Sequence, residues 1–280
     1  MNDQLYEKIK HIANLPTLPT IASRLMRIVN DPETNAEEIA ALVSQDVSLS
    51  AKILRLANSA FYGIPRSINS INNAVVVLGN KIIQTMVLGL TVFDMFGDSP
   101  EESRLFNRES FWTHSLKCAT TAKLLAFQCR NTGRLDPEEA FCAGLLHDIG
   151  KIVMEQYLHR DFHVALRAAR DEKRSLFEVE NEILGYNHCD VAEWLTSTWS
   201  LPEGIEMSVV HHHTPDQAPQ CTSAVTLCSI ADQLSQPGKQ AKIAPGMGPM
   251  LEDLGLNKTR VSETMAQVPE ELKKAKVFLG

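Results

Sequence analysis

No stretch of the sequence approaches the roughly 20 consecutive apolar residues that a membrane span needs. The longest apolar region, Ile82 to Phe96, is broken by Gln84, Thr85, Gly89, Thr91 and Asp94. The first residues, Met1 to Asn14, mix acids and bases and hold no apolar core of signal-peptide length. No long block of like charge suggests a disordered tail. A formal net charge of -7 argues against a broad basic surface for nucleic acid or acidic lipid, leaving room only for a local basic patch. The six cysteines (118, 129, 142, 189, 221 and 228) form no C-x-x-C pair, which reads as buried reduced thiols rather than disulfides or a zinc knuckle. Period-two alternation is missing as well, and with it the sign of half-buried strands. These absences point to a cytoplasmic globular protein with no membrane contact.

What is present is helical. The 280 residues are 44% hydrophobic and 22% charged, enough for a sizeable core. Apolar residues recur at helical spacing: Ile21, Leu25, Ile28 and Val29; Leu49, Ile53, Leu56 and Ala60; Ile82, Ile83, Met86, Val87 and Leu90. Even Val75 to Leu78, the best strand candidate, continues the spacing of Ile71, Val75 and Leu78. Asn35 with Glu38 and Ser175 with Glu178 fit capping boxes, and Gly63 is expected to close a helix packed by Phe61. The polar stretch around Ser99-Pro100 and the segment from Gln236-Pro237-Gly238 divide the chain into an N-terminal helical part (1–100), a central part holding the histidines (101–236) and a C-terminal helical extension (237–280). The fold expected is all-α, an N-terminal helical bundle packed on a helical core.

Ala140-Phe-Cys-Ala-Gly-Leu-Leu-His-Asp-Ile-Gly-Lys151 reads as one helix. On it Gly144, His147, Asp148 and Lys151 share a face, and a neutral imidazole beside a carboxylate suits a divalent cation. Other donor residues continue largely apolar or small stripes: His114 with Cys118, Thr121 and Leu125; His212 and His213 with Ile205 and Val209; Asp232 with Val225, Cys228 and Ser229; His188 with Val191, Ala192 and Leu195. Singly, each is a core or surface residue. Jointly they ask for a partner, because an unpaired buried polar group costs on the order of 2 to 7 kcal/mol, and one shared metal would satisfy them all.

The pattern resembles the HD superfamily of metal-dependent phosphohydrolases, which implies that His114, His147, Asp148 and Asp232 hold one divalent ion. It is more closely similar to the HDOD family, the HD-related output domain of bacterial signalling proteins. That likeness rests on Leu15-Pro-Thr-Leu-Pro19, Asp46 with Leu49, Ser50, Ile53 and Leu54, Leu56-Ala-Asn-Ser59, Ala74 to Gly79, Phe111-Trp-Thr-His-Ser115, Ala143-Gly-Leu-Leu-His-Asp148 and Trp199-Ser-Leu-Pro202 leading to His212-His213-Thr214-Pro215. The order His114, His147-Asp148, Lys151, His188, His212-His213, Asp232 also looks like that of HD-GYP phosphodiesterases, which implies a second ion held by His188, His212 and His213 and bridged by Asp148. The Gly-Tyr-Pro of that family is replaced here by Thr214-Pro-Asp-Gln-Ala-Pro219, and Ser110 stands where some of its enzymes carry a glutamate ligand; both speak against cyclic dinucleotide hydrolysis.

Two functions follow. In one, the chain is a regulatory output module whose metal site is structural or senses a ligand. Its partners are then other signalling proteins, reached by association, since no receiver, kinase or DNA-binding domain fits in the remaining residues. In the other it hydrolyses a nucleotide or other phosphoester. One or two divalent transition ions (Fe, Mn, Zn, Ni or Co) would polarise a phosphoryl oxygen and bring a bound water to a pKa of roughly 7, and Lys151 would offset phosphate charge beside the catalytic Asp148.

Overall fold

The structure, a computed structural model, describes residues 3–9, 16–29, 31, 33–97, 105–129, 135–236 and 246–279. Leu15, the Ser99-Pro100 joint and the Pro237-Gly238 joint lie outside the described residues. Among the described residues every regular element is helical, sixteen α-helices and two short 3-10 turns, as the spacing of apolar residues predicts.

The first six helices are α1 (Asp3–Ile9), α2 (Thr20–Ile28), α3 (Ala36–Val43), α4 (Val47–Ala57), α5 (Ile71–Leu78) and α6 (Asn80–Phe96). The starts of α3, α4 and α5 are set by short polar side chains that accept from free first-turn amides: Asn35 from Glu38 at 3.0 Å, Asp46 from Leu49 at 2.9 Å and Ser70 from Asn73 at 3.1 Å. The Val75–Leu78 run is helical, within α5. Helix α6 explains its own mixed composition. It is an interior helix against which α2, α4 and α5 pack, and it buries Gln84, Thr85 and Thr91 along with its apolar residues. No helix of the described residues is long and apolar enough to cross a membrane.

The loop after α4 departs from the expected closure. The helix ends at Ala57 with Asn58 as its cap, and Gly63, with φ of 61°, closes a separate turn by donating to the Ser59 carbonyl at 3.2 Å. Asn58 staples this loop: its amide donates to the carbonyls of Leu54 and Ile68 and its side-chain oxygen accepts from the Ile68 amide, all at 2.8 Å. Phe61 does pack, against the rings of Tyr62, Phe141 and Phe278.

The central helices are α7 (Arg108–Ala126), α8 (Pro137–Leu146), α9 (Ile149–Tyr157), α10 (His159–Glu172), α11 (Leu176–Leu184), α12 (His188–Thr196), α13 (Glu203–His211) and α14 (Thr222–Ser235). The single helix expected over Ala140 to Lys151 is in fact two. The chain breaks at His147-Asp148, where Asp148 sits at φ -98°, ψ 11° as the residue before α9. Two glycines set the packing on either side of the break. A Cβ on Gly144 would come within 2.7 Å of the Ala119 backbone of α7, and one on Gly150 would collide with the His188 carbonyl oxygen at the start of α12. Only glycine allows backbones so close.

Ser175 makes no side-chain cap, contrary to the box expected there. The reciprocal box is at α12, where Asn187 accepts from the amides of Cys189 and Asp190 at 2.7 and 3.1 Å while the Asp190 carboxylate accepts from the Asn187 amide at 2.8 Å. That box fixes the entry of the helix carrying His188.

Helices α15 (Met247–Asp253) and α16 (Lys258–Ala275) follow, with α16 lying on α7. The closing turn, Lys276–Leu279, packs Phe278 against both Phe61 and Phe141, with ring centroids 5.6 and 5.3 Å away. One apolar core therefore runs from Leu5 to Phe278, and a second, smaller one joins the end of α7 to α14 and α15. All six cysteines are free thiols; Cys129 and Cys221 are partly exposed and the other four buried.

Candidate metal centre

The donor residues come from five segments: His114 from α7, His147 and Asp148 from the α8–α9 break, His188 from the first turn of α12, His212 and His213 from the end of α13, and Asp232 from α14. The structure brings all seven to one place. His147, Asp148, His188, His212 and Asp232 are buried, while His114 and His213 are partly exposed at the edge. His211 is not drawn into either group of donors.

Asp148 divides the centre. Its Oδ2 lies 3.3 Å from His147 Nε2 and 3.7 Å from His114 Nε2, and Asp232 Oδ1 lies 3.1 and 3.5 Å from the Nε2 atoms of His114 and His147. The other oxygen, Oδ1, lies 3.4 Å from His188 Nε2 and 3.5 Å from His212 Nε2, and His213 Nε2 is 3.1 Å from that of His188. An ion bonded at about 2.0–2.1 Å in tetrahedral or octahedral geometry sets its ligand atoms roughly 3.0 to 3.4 Å apart. Both groups fall close to that spacing. A further sign is that Asp148 Oδ1 and His212 Nε2 are buried with no hydrogen-bond partner, an arrangement that costs free energy unless a cation meets them. The residues fit one or two divalent ions.

The outward nitrogens are pinned. His147 Nδ1 donates to the Gly144 carbonyl at 2.9 Å, His212 Nδ1 to the Val209 carbonyl at 3.0 Å and His188 Nδ1 to the Glu180 carboxyl at 2.5 Å. Such bonds fix the tautomer and leave Nε2 bare toward the centre. Asp148, the residue at the break, also accepts from the Lys151 ammonium at 2.6 Å through Oδ2.

Charges are balanced locally. Burial alone would raise the Asp148 carboxyl, but His147 and Lys151 hold it well below the usual carboxylate range. Asp232 is likewise held low, against its burial, by His114 and His147. His147 is raised by Asp148 despite full burial. Burial, reinforced by the Lys151 charge, keeps His188 well below the usual imidazole value and therefore neutral, and burial does the same for His213. Two carboxylates thus face Lys151 and the imidazoles of His114 and His147, and a divalent ion held among them would offset their charge.

Glu180 of α11 escaped the sequence reading. It is fully buried, and burial pushes its carboxyl up to about 8. Its signal was available: Leu176, Val179, Glu180 and Leu184 form one helical stripe, so Glu180 had to face inward. Gln236, whose amide donates to Asp232 Oδ1 at 2.7 Å, and Cys189, whose sulfur lies 3.9 Å from His212 Nδ1, carried no comparable pattern.

An all-helical chain with an Asp-centred histidine cluster at a helix break is an HD-type architecture. The chain belongs to the HDOD domain family, whose model matches residues 15–215, a span that includes every donor except Asp232. It is similar to an uncharacterised protein of Treponema pallidum, 24% identical over 210 residues, covering 75% of this chain and 39% of that protein. It is also similar to the cyclic di-GMP phosphodiesterase CdgJ of Vibrio cholerae, 29% identical over 168 residues, covering 57% and 37% of the two chains. The chain thus spans less than half the length of these relatives. A solved HDOD domain protein of unknown function from Geobacter sulfurreducens superposes with a TM-score of 0.80 at 28% identity, covering 98% of this chain and 96% of that one.

Proposed function

We propose that the chain is a bacterial signal-transduction unit, a regulatory output module built around a divalent-metal centre. His114, His147, Asp148 and Asp232 would hold one ion, and Asp148 with His188, His212 and His213 a second. The observation that carries this reading is a complete, pre-aimed donor set shut inside the protein: side chains of His147, His188 and His212 have no exposed surface, and Asp148 and Asp232 are only 3% and 6% exposed. Such a centre ties five segments together and suits a fold-setting or sensing role better than open turnover. The helices of residues 1–100 would offer the surface for signalling partners, and iron, manganese, zinc, nickel and cobalt all suit the mixed donors.

The completeness of the same set supports a second reading, hydrolysis of a nucleotide or other phosphoester. A divalent ion supplies Lewis acidity toward a phosphoryl oxygen. In this reading substrate enters between the partly exposed His114, His213 and Lys151, and the ammonium leaves Asp148 to meet phosphate charge. The deciding experiment is elemental analysis of purified protein with hydrolysis assays on generic phosphodiesters and nucleotides under several added metals. Metal retained by the wild type and lost in His147→Ala and Asp148→Asn, with no turnover, supports the regulatory reading. Turnover that disappears in Asp148→Asn establishes the hydrolase, and stoichiometric metal absent under every condition removes the centre itself.

A further inference from the structure

We propose a separate metal site at the elbow between α9 and α10, built from Glu155, His159 and His163 and taking a divalent ion of the zinc type. Glu155 lies in the last turn of α9, buried at 7% exposure, and its two oxygens face two imidazoles. Oε2 is 2.9 Å from His163 Nε2, and Oε1 is 3.5 Å from His159 Nδ1, which also lies 3.2 Å from the Glu155 carbonyl oxygen and would leave it for an ion. The histidines are four residues apart at the start of α10, so they project from one face, with ring centroids 3.8 Å apart. One donor atom from each residue lies within 4.8 Å of the others, and a swing of the half-exposed His159 ring would bring them to the roughly 3.0 to 3.4 Å spacing that an ion bonded at about 2.0–2.1 Å demands.

The chemistry favours an ion over a plain acid–base pair. Among the described residues no lysine or arginine pairs with the Glu155 carboxylate, which turns both oxygens to histidine instead. Two imidazoles and a carboxylate are a zinc-type donor set, poorly matched to magnesium or calcium, which prefer oxygen. The His159 side chain is 50% exposed, so the remaining coordination position opens to solvent. No residue is shared with the centre at Asp148. Bound there, the ion clasps α9 to α10 across the bend at Leu158, where the backbone turns at φ -122°, ψ 33°, and so steadies the helix whose other end begins at Asp148.

The test is equilibrium dialysis of the full chain against Zn2+, with Mg2+ and Ca2+ as controls, and circular dichroism to check folding. His159→Ala/His163→Ala should bind one zinc fewer per chain than the wild type, and Glu155→Gln should bind that zinc at least tenfold more weakly. His147→Ala, which removes a donor from the other centre, should keep the elbow zinc, so failure of one site does not mask the other. If Glu155→Gln misfolds, His159→Ala alone decides, since that ring is half exposed. Equal zinc content in the wild type and the double histidine variant overturns the proposal, as does equal binding of Mg2+.

Discussion

Helix α9 joins two contrasting clusters. At its start, the Asp148 cluster is buried, drawn from five segments and held by outward hydrogen bonds on three of its rings. At its end, the Glu155 cluster is local, with both histidines on the next helix and one of them half exposed. The first is organised by the whole fold and the second by a single bend. Damage should therefore spread from the first and stay confined at the second.

The largest effect expected is from Asp148→Ala. It leaves the Lys151 ammonium and His147 without their shared carboxylate in a buried setting, where breaking one partner of an ion pair costs about 3–5 kcal/mol. Urea unfolding of metal-free protein measures it, and a loss below about 1 kcal/mol would mean that the centre is not held by the fold. Next comes Gly150→Ala, whose Cβ must push the His188 carbonyl away. Overpacking of this kind costs typically 1–3 kcal/mol, and metal content at the Asp148 centre should fall with stability. Unchanged metal content would break the link between α9–α12 packing and the centre.

Glu180→Gln has a pH signature. A carboxyl that titrates higher in the folded chain, about 8 against an ordinary 4.5, favours folding while protonated. That contribution is fully present below about 4.5 and is lost as pH rises through about 8. The variant should flatten this part of the stability profile of metal-free protein, read from urea midpoints between about pH 5 and 9; parallel wild-type and variant profiles would exclude the effect. The smallest change is His159→Ala, which without metal should shift stability by no more than about 0.5 kcal/mol. A larger loss would show that the elbow is structural without any ion.

The helices were legible because their apolar spacing is regular, and the seven donors because each interrupts an apolar or small stripe, as His114 does beside Cys118 and Leu125. The break at His147-Asp148 was not. Nothing in Ala140 to Lys151 is a helix breaker beyond its two glycines, and both of these are positions where α7 and α12 approach too closely for a Cβ, contacts formed across the fold. Ser175 has the composition of a cap but lacks the geometry, whereas Asn187 and Asp190 have both and sit where a buried histidine needs a fixed helix start. Glu155, His159 and His163 stand at i, i+4 and i+8, so a helical period alone could have joined them.

Phe278 completes the wall around Phe61 and Phe141. The first hydrophobic cluster thus waits on a ring 217 residues further along the chain, so the N-terminal helices cannot reach their final packing while they emerge from the ribosome. Closing so long a loop adds little free energy beyond a loop of half its length, about 0.6 kcal/mol. What it determines is order: the packing around Phe61 is finished only once the segment bearing Phe278 has been made.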